Sequence, residues 1–207
     1  MERSTKLSFL LPLFVILVVW AGFGVKPVPG ADNVVAESPT FKVGDEWRYS
    51  NRDVLRVVGF EGDYVITGSN ARSCQGCRYF RDKNWTIVRV LDFQGKPSEH
   101  VIPRWKYLDF PLYVGKEWTQ EIKGRSRTRG EPRSSFNRYK VTAYEEVSVQ
   151  AGTYKAFRIS HDQEHWSGEP GGHEDRWYAP DVKAFVKRVA LTLTWGRDWT
   201  LMSYTLK

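Results

Sequence analysis

The sequence predicts an all-β fold, and three observations lead to that prediction. No segment after residue 40 keeps helical apolar spacing over eleven or more residues, whereas period-two alternation bounded by turn residues recurs throughout. Aromatic residues, which favour pleated surfaces, make up 14% of the chain. Strands follow one another at roughly 8 to 12 residues, so sequence neighbours are expected to pair antiparallel. We therefore expect a single curved antiparallel sheet or a partly closed up-and-down barrel.

The N-terminal 31 residues have the layout of a secretory signal. Arg3 and Lys6 precede an apolar run over residues 9–25, and small residues with prolines follow that run. Because the run approaches the roughly 18 to 20 residues that span a bilayer, retention as an N-terminal membrane anchor is the alternative to cleavage. We expect an exported protein, periplasmic or extracellular, with membrane contact through residues 9–25 if the segment is kept.

The remaining chain fits one domain. If the signal is removed, the cut follows Ala21, Ala31 or Ala36, each of which is small. Residues 32–40 are predicted to be an irregular linker and residues 41–207 an antiparallel β domain, too short to hold two substantial domains. The formal net charge of +7 favours anionic surroundings.

The first predicted strands lie on either side of polar turns. Residues 41–50 begin the domain, and residues 54–60 and 64–69 form a hairpin around the turn at 61–63. Residues 78–105 continue the meander through two further polar turns. This order predicts successive antiparallel neighbours.

The clearest predicted strand is AFVKRVALTLTW, residues 184–195. Alternation assigns Phe185 and Leu191 to a mostly apolar face that packs on the core, and Arg188 to the opposite face. A glycine-containing turn then leads into a closing strand over residues 199–207.

Glycines mark the most specific turn motifs. In two Val-Gly-x-Glu-Trp stretches, Gly44 or Gly115 is predicted to make a turn, and the tryptophan three residues later to pack inward. Ala151-Gly152-Thr153-Tyr154 reads as a hairpin reversal, and Trp177-Tyr178-Ala179-Pro180 precedes the strand from residue 184. With their order along the chain, these motifs resemble the TapB-like family of exported bacterial domains of unknown function.

The resemblance covers most of residues 41–207. Two turn positions depart from the family pattern: Gln150 stands where members have proline, and Lys183 where they have glycine. The resemblance implies a single antiparallel β domain related to the curved sheets of lipoprotein-carrier proteins. It brings no catalytic residues, because the family has none established.

The only two cysteines, Cys74 and Cys77, are separated by two residues. The residues around the two cysteines alternate as in a strand, whereas a thioredoxin-like redox centre needs a helix at this point. Covalent haem attachment needs a histidine after the second cysteine, and this chain has Arg78 there. In an exported protein we expect a local disulfide. A zinc site completed by histidines and free or redox-active thiols are the alternatives.

Three of the four histidines lie in one polar stretch, residues 161–177. His161 and His165 point the same way on a strand, and His173 can return across a glycine-rich loop. These three residues are therefore candidate metal ligands, although the stretch lacks H-E-x-x-H. The alternative is a polar loop that binds no metal.

Arginines concentrate in the predicted hairpin of residues 123–140. Arg125, Arg127 and Arg129 alternate with small polar residues, and Arg133 follows the turn. Guanidinium groups suit carboxylates and phosphates, so these four residues are candidate anion ligands. The alternative is a solvated edge hairpin whose charges prevent aggregation.

No motif predicts catalysis. G-x-S-x-G and S-x-x-K are absent, and the acidic pairs at 145–146 and 174–175 are adjacent residues that face opposite ways on a strand. We expect a non-enzymatic domain without a cofactor, whose aromatic sheet face binds an acyl chain or an envelope polymer. Expected partners are a lipid, a lipoprotein or an anionic envelope polymer, and no nucleic acid. The alternatives are a structural or adhesion module and a small metal-binding protein.

Overall fold

The computed structural model describes residues 26–27, 33–70, 76–97, 105–125, 132–164, 170–192 and 197–207. These residues form an all-β fold with twelve strands: β1 (Lys26–Pro27), β2 (Glu46–Tyr49), β3 (Val54–Glu61), β4 (Tyr64–Ser69), β5 (Arg78–Arg81), β6 (Ile87–Leu91), β7 (Glu117–Arg125), β8 (Pro132–Val149), β9 (Gly152–Glu164), β10 (Pro170–Ala179), β11 (Ala184–Ala190) and β12 (Trp199–Thr205). A 3₁₀ turn, Pro180–Val182, joins β10 to β11. The predicted fold class is confirmed.

The strands form one antiparallel sheet built from two meanders. The first meander runs through β2 to β6 and the second through β7 to β12, each strand pairing with its sequence neighbour. Pairing of β12 with β2 joins the meanders, with Leu201 opposite Tyr49 and Thr205 opposite Glu46. Among the described strands β6 does not pair with β7, so the sheet is open and the alternative of a partly closed barrel is not observed.

The sheet curls strongly. Arg81 on β5 and Arg176 on β10 line one cavity, although six strand spacings of about 4.8 Å, roughly 29 Å in a flat sheet, separate their strands. The amide of Ala151, in the β8–β9 turn, donates a 3.2 Å hydrogen bond to the carbonyl of Leu201 on β12. This curvature encloses a concave face between the meanders.

The segment between β6 and β7 packs on the core. Leu108 and Leu112 are buried, and the backbone of Leu112 forms a bridge with Ala36. Ala36 is only 7% exposed, so this part of the predicted linker at residues 32–40 belongs to the domain core. Backbone pairing extends further towards the N-terminus, because β1 pairs with β8.

Two hydrophobic clusters lie on opposite faces of the long strands, because successive side chains on a strand alternate. The cavity-side cluster contains Leu108, Tyr139, Val141, Phe157, Ile159, Tyr178 and Phe185. The second cluster contains Trp47, Val147, Val149, Ala156, Trp177 and Val186.

A register shift in the β10–β11 pair changes the predicted faces of β11. Tyr178 pairs with Phe185 and Arg176 pairs with Arg188, so Phe185 and Arg188 lie on the same, cavity-facing side. The prediction that these two residues face opposite ways was wrong, because the bulge inserts a residue and breaks simple alternation. The strand also ends at Ala190, which leaves Leu191 exposed instead of packed on the core.

The predicted glycine turns are confirmed. Gly44 and Gly115 have φ values of 95° and 91°, a region that side-chain-bearing residues rarely adopt. Trp47 is fully buried and Trp118 is 9% exposed, so both tryptophans pack inward. Gly152, with φ of 141°, begins β9 directly after the predicted reversal.

No helix in the described ranges has the length and apolar character needed to cross a membrane. The apolar run at residues 9–25 lies outside those ranges, so cleavage or retention of this segment stays a prediction.

Candidate functional site

The concave face contains a cavity of about 270 Å³ between the two meanders. Its walls combine two arginines with four aromatic side chains: Arg81, Arg176, Trp85, Trp105, Tyr107 and Phe185. The first meander contributes Arg81 and the second contributes Arg176. The two arginines differ in how their charges are balanced.

On the second meander, a buried carboxylate balances the arginines. Glu174 is fully buried, its Oε1 accepts a 2.8 Å hydrogen bond from Arg176 Nε, and its Oε2 accepts one from Arg188 Nε. Burial alone raises the pKa of Glu174, but His161 and both guanidinium groups outweigh it and hold that pKa well below its usual range. Glu174 is therefore ionised at neutral pH.

His161 and Asn137 extend this buried network. Asn137 Nδ2 lies 3.3 Å from the carbonyl oxygens of Gln120 and Ser135, to which it donates, so its Oδ1 accepts from His161 Nε2 at 3.0 Å. The other ring nitrogen, Nδ1, is 3.3 Å from Glu174 Oε1. Burial lowers the pKa of His161 below its ordinary value, and Glu174 opposes this only in part. The ring of His161 therefore lies between the Glu174 carboxylate and the Asn137 amide.

Arg176 connects the network to the cavity. Its guanidinium carbon lies 3.6 Å from the centroid of the Tyr107 ring, a cation–π contact in the cavity wall. Burial lowers the pKa of Arg176, but the nearby Tyr107 and Glu174 raise it by more. Arg176 keeps its charge while its Nε is held by Glu174.

Arg81, at the end of β5, has no carboxylate partner in the described parts of the chain. Its Nε donates to Thr67 Oγ1 at 3.1 Å and its Nη1 to the carbonyl of Trp85 at 3.0 Å. A guanidinium has five N–H groups, so three of them make no hydrogen bond to those parts of the chain. Burial lowers the pKa of Arg81 to about 10, which still leaves it charged at neutral pH.

The charges of both cavity arginines act on the buried hydroxyl of Tyr49. Burial raises the pKa of Tyr49, and the charges of Arg81 and Arg176 both oppose that rise. The two guanidinium groups therefore project positive charge into the same region of the concave face.

Two of the three candidate metal ligands, His161 and His173, do not come together. His161 pairs with Glu174 and His173 pairs with Asp162 in the β9–β10 register, so the two histidines lie on opposite faces of the sheet. His173 Nδ1 contacts Asp162 Oδ1 at 2.5 Å on its own face. His165 lies outside the described residues, and no group of three metal-ligating side chains occurs within them.

The candidate anion ligands lie at the β7–β8 hairpin. Arg125 is the Cα partner of Pro132, and Arg133 is the partner of Gly124, in the part of the sheet where β7 is an edge strand. Arg127 and Arg129 lie outside the described residues. Anion binding by this hairpin stays a prediction.

Cys77 is 1% exposed and packs against Tyr79 and Val90. It is not a free thiol. Cys74 lies outside the described residues, so its disulfide with Cys77 stays a prediction.

Sequence reasoning missed the two arginines of the cavity. Arg81 lies two residues after the buried Tyr79 on β5, and Arg176 lies between Glu174 and Tyr178 in the alternation of β10. The available signal was a charged residue at a strand position with a buried neighbour two residues away. Such a position indicates that the arginine faces inward, but it does not show which residues lie across the cavity from it.

No family model, no curated protein and no solved structure matches this sequence. The resemblance to the TapB-like family therefore stays a prediction, and the geometry of the cavity carries the functional argument.

Proposed function

We propose that this protein is a non-enzymatic, exported binding domain whose cavity takes a ligand with an anionic group and an apolar part. The observation that carries the proposal is the partly buried guanidinium of Arg81, which borders the cavity with no carboxylate within 4 Å in the described ranges. Buried charges are normally paired, because an isolated charge loses its hydration without compensation. An anionic ligand group supplies the missing partner.

The apolar part of the ligand follows from the rest of the wall. Trp85, Trp105, Tyr107 and Phe185 surround the two arginines. Aromatic walls bind apolar groups by burying area and by stacked or edge-to-face contacts. The ligand is thus amphipathic, with its charged end at the arginines.

Binding, and not catalysis, suits this set of side chains. The lining described for the cavity consists of guanidinium, amide, aromatic and aliphatic groups. Burial raises the pKa of Tyr107, so its hydroxyl is not a base at neutral pH. Two arginines hold Glu174, the carboxylate paired with the lining residue Arg176, and an ion pair lowers the basicity of a carboxylate.

The ligand belongs to the compartment that the N-terminal segment indicates. An exported domain meets the lipids, lipoproteins and anionic polymers of an envelope, and the arginines favour their acidic components. The predicted disulfide of Cys74 and Cys77 fits an oxidising compartment.

The test compares how an anionic ligand and an uncharged ligand of the same shape change the melting temperature of the protein. We expect 2-naphthoate to raise the melting temperature of the full chain, and 2-naphthamide, which has the same rings without the charge, to raise it much less. Arg81→Gln should remove the difference between the two probes, since the unpaired guanidinium makes the distinction.

Arg56→Gln is the matched control, because this arginine on β3 is 57% exposed and paired with Glu46. It should keep the wild-type preference. Equal responses to the acid and the amide, or a preference that survives Arg81→Gln, would overturn the proposal.

A further inference from the structure

We infer that the ligand of this cavity is a compact aryl phosphate, a single flat apolar ring that carries a phosphoryl group. This inference rests on the proposed function and narrows it to one ligand chemistry. Three properties of the cavity lead to it: its volume, its walls and its free hydrogen-bond donors.

The volume limits the size of the ligand. At about 30 Å³ per water molecule in the liquid, a cavity of about 270 Å³ holds on the order of nine waters. A ring with a phosphoryl group is close to that size, whereas a long acyl chain has many more heavy atoms. A long acyl chain would extend beyond this volume, whereas a ring with a phosphoryl group lies within it.

The walls favour a flat ligand. Trp85 comes from the β5–β6 loop, Trp105 and Tyr107 come from the segment between β6 and β7, and Phe185 comes from β11. Aromatic rings on several sides of a small cavity offer stacked and edge-to-face contacts to another ring. A flexible chain gains less from such walls, because it loses rotamer freedom when it is confined.

The free donors favour a phosphoryl group over a carboxylate. Arg81 has three N–H groups without a hydrogen bond in the described parts of the protein, and Arg176 has four, since only its Nε is engaged there, by Glu174. A carboxylate offers two oxygens, whereas a phosphoryl group offers three strong acceptor oxygens and close to two negative charges. Guanidinium forks from two sides are matched better by the three oxygens.

Calorimetric titration of the full chain with four probes tests this inference. Phenyl phosphate has both the ring and the phosphoryl group, and benzoate has the ring with a carboxylate instead. Decyl phosphate has the phosphoryl group on a flexible chain, and inorganic phosphate has no apolar part. We expect phenyl phosphate to bind at least tenfold more tightly than each of the others. Arg81→Gln should weaken its binding at least tenfold, and Arg56→Gln should leave it unchanged.

Each contrary result removes a defined part of the inference. If decyl phosphate binds as tightly as phenyl phosphate, the ligand does not need a ring. If benzoate binds as tightly as phenyl phosphate, the cavity does not prefer a phosphoryl group. Inorganic phosphate binding as tightly overturns any role for the apolar walls. If none of the four probes binds but 2-naphthoate still does, only this inference fails; if 2-naphthoate also fails, the proposed function falls with it.

Discussion

The two sides of the cavity balance their charges in different ways. On the second meander, Glu174 pairs with Arg176 and Arg188 and meets His161, so each charged group has a partner of opposite sign or a hydrogen bond. On the first meander, Arg81 has only neutral partners, Thr67 and the carbonyl of Trp85, among the described residues.

This difference separates support of the fold from ligand binding. A matched buried network can hold three neighbouring strands in one arrangement, because removal of one partner leaves the others desolvated and unpaired. Arg81 makes two hydrogen bonds to neutral groups and a cation–π contact with Trp85, but it forms no ion pair among the described residues, and we take the ligand to supply the missing anion. The predictions below test this separation, from the largest expected effect to the smallest.

Glu174→Gln removes the carboxylate from the buried network on the second meander. Without the carboxylate, Arg176 and Arg188 lose their shared partner inside the protein, and we expect the free energy of unfolding to fall by about 3 to 5 kcal/mol. Urea denaturation measures it. Glu61→Gln is the control: this residue is 58% exposed and paired with Arg89, so a change of about 0 to 1 kcal/mol is expected. A loss at Glu174 as small as that at Glu61 would contradict a supporting role for the network.

His161 makes the matched side sensitive to pH. Because the pKa of His161 is lowered in the folded state, the unfolded chain binds the proton more readily. Its contribution to stability is therefore present above the ordinary value of 6.5 and is lost as the pH falls below it. We expect urea midpoints to decline from pH 7.5 to pH 5.5, and His161→Gln to flatten that decline.

The control for this pH effect is His173→Gln on the opposite face, which removes a histidine outside the buried network. The decline should persist in that variant. If it disappeared there and persisted in His161→Gln, the assignment to the network would be wrong.

Arg81→Met tests whether the Arg81 charge supports the fold or binds the ligand. Methionine keeps an apolar stem while removing the unpaired charge, so the lost hydrogen bonds are offset by relief of desolvation. We expect the unfolding free energy of the ligand-free protein to change by less than about 1 kcal/mol, with 2-naphthoate binding lost. A destabilisation comparable to that of Glu174→Gln would place Arg81 in the supporting framework instead.

Local patterns were enough to predict the all-β class and several of the hairpins. Alternation and turn residues identified the hairpin around residues 61–63 and the reversal at Gly152, because side-chain period and turn conformation depend on a few adjacent residues. The tryptophans after Gly44 and Gly115 were expected to pack inward, and both do so. These features need no knowledge of distant contacts.

Alternation failed where the chain departs from a regular strand. The bulge opposite Trp177 brings Phe185 and Arg188 to the same face, and β11 ends before Leu191. A bulge adds one residue to one strand only, and its position depends on the partner strand. Sequence reasoning therefore assigned the wrong face to Arg188, which now contacts Glu174.

The candidate site depends on contacts that no local pattern contains. Sequence alone was sufficient for the all-β class, antiparallel pairing of neighbours and the inward-packing tryptophans, because each follows from residues a few positions apart. Tertiary structure was needed to split His161 from His173, to add Ala36 to the core and to bring Arg81 and Arg176 to one cavity. The physical reason is that sheet register, bulges and curvature arise from pairing between strands far apart in the chain.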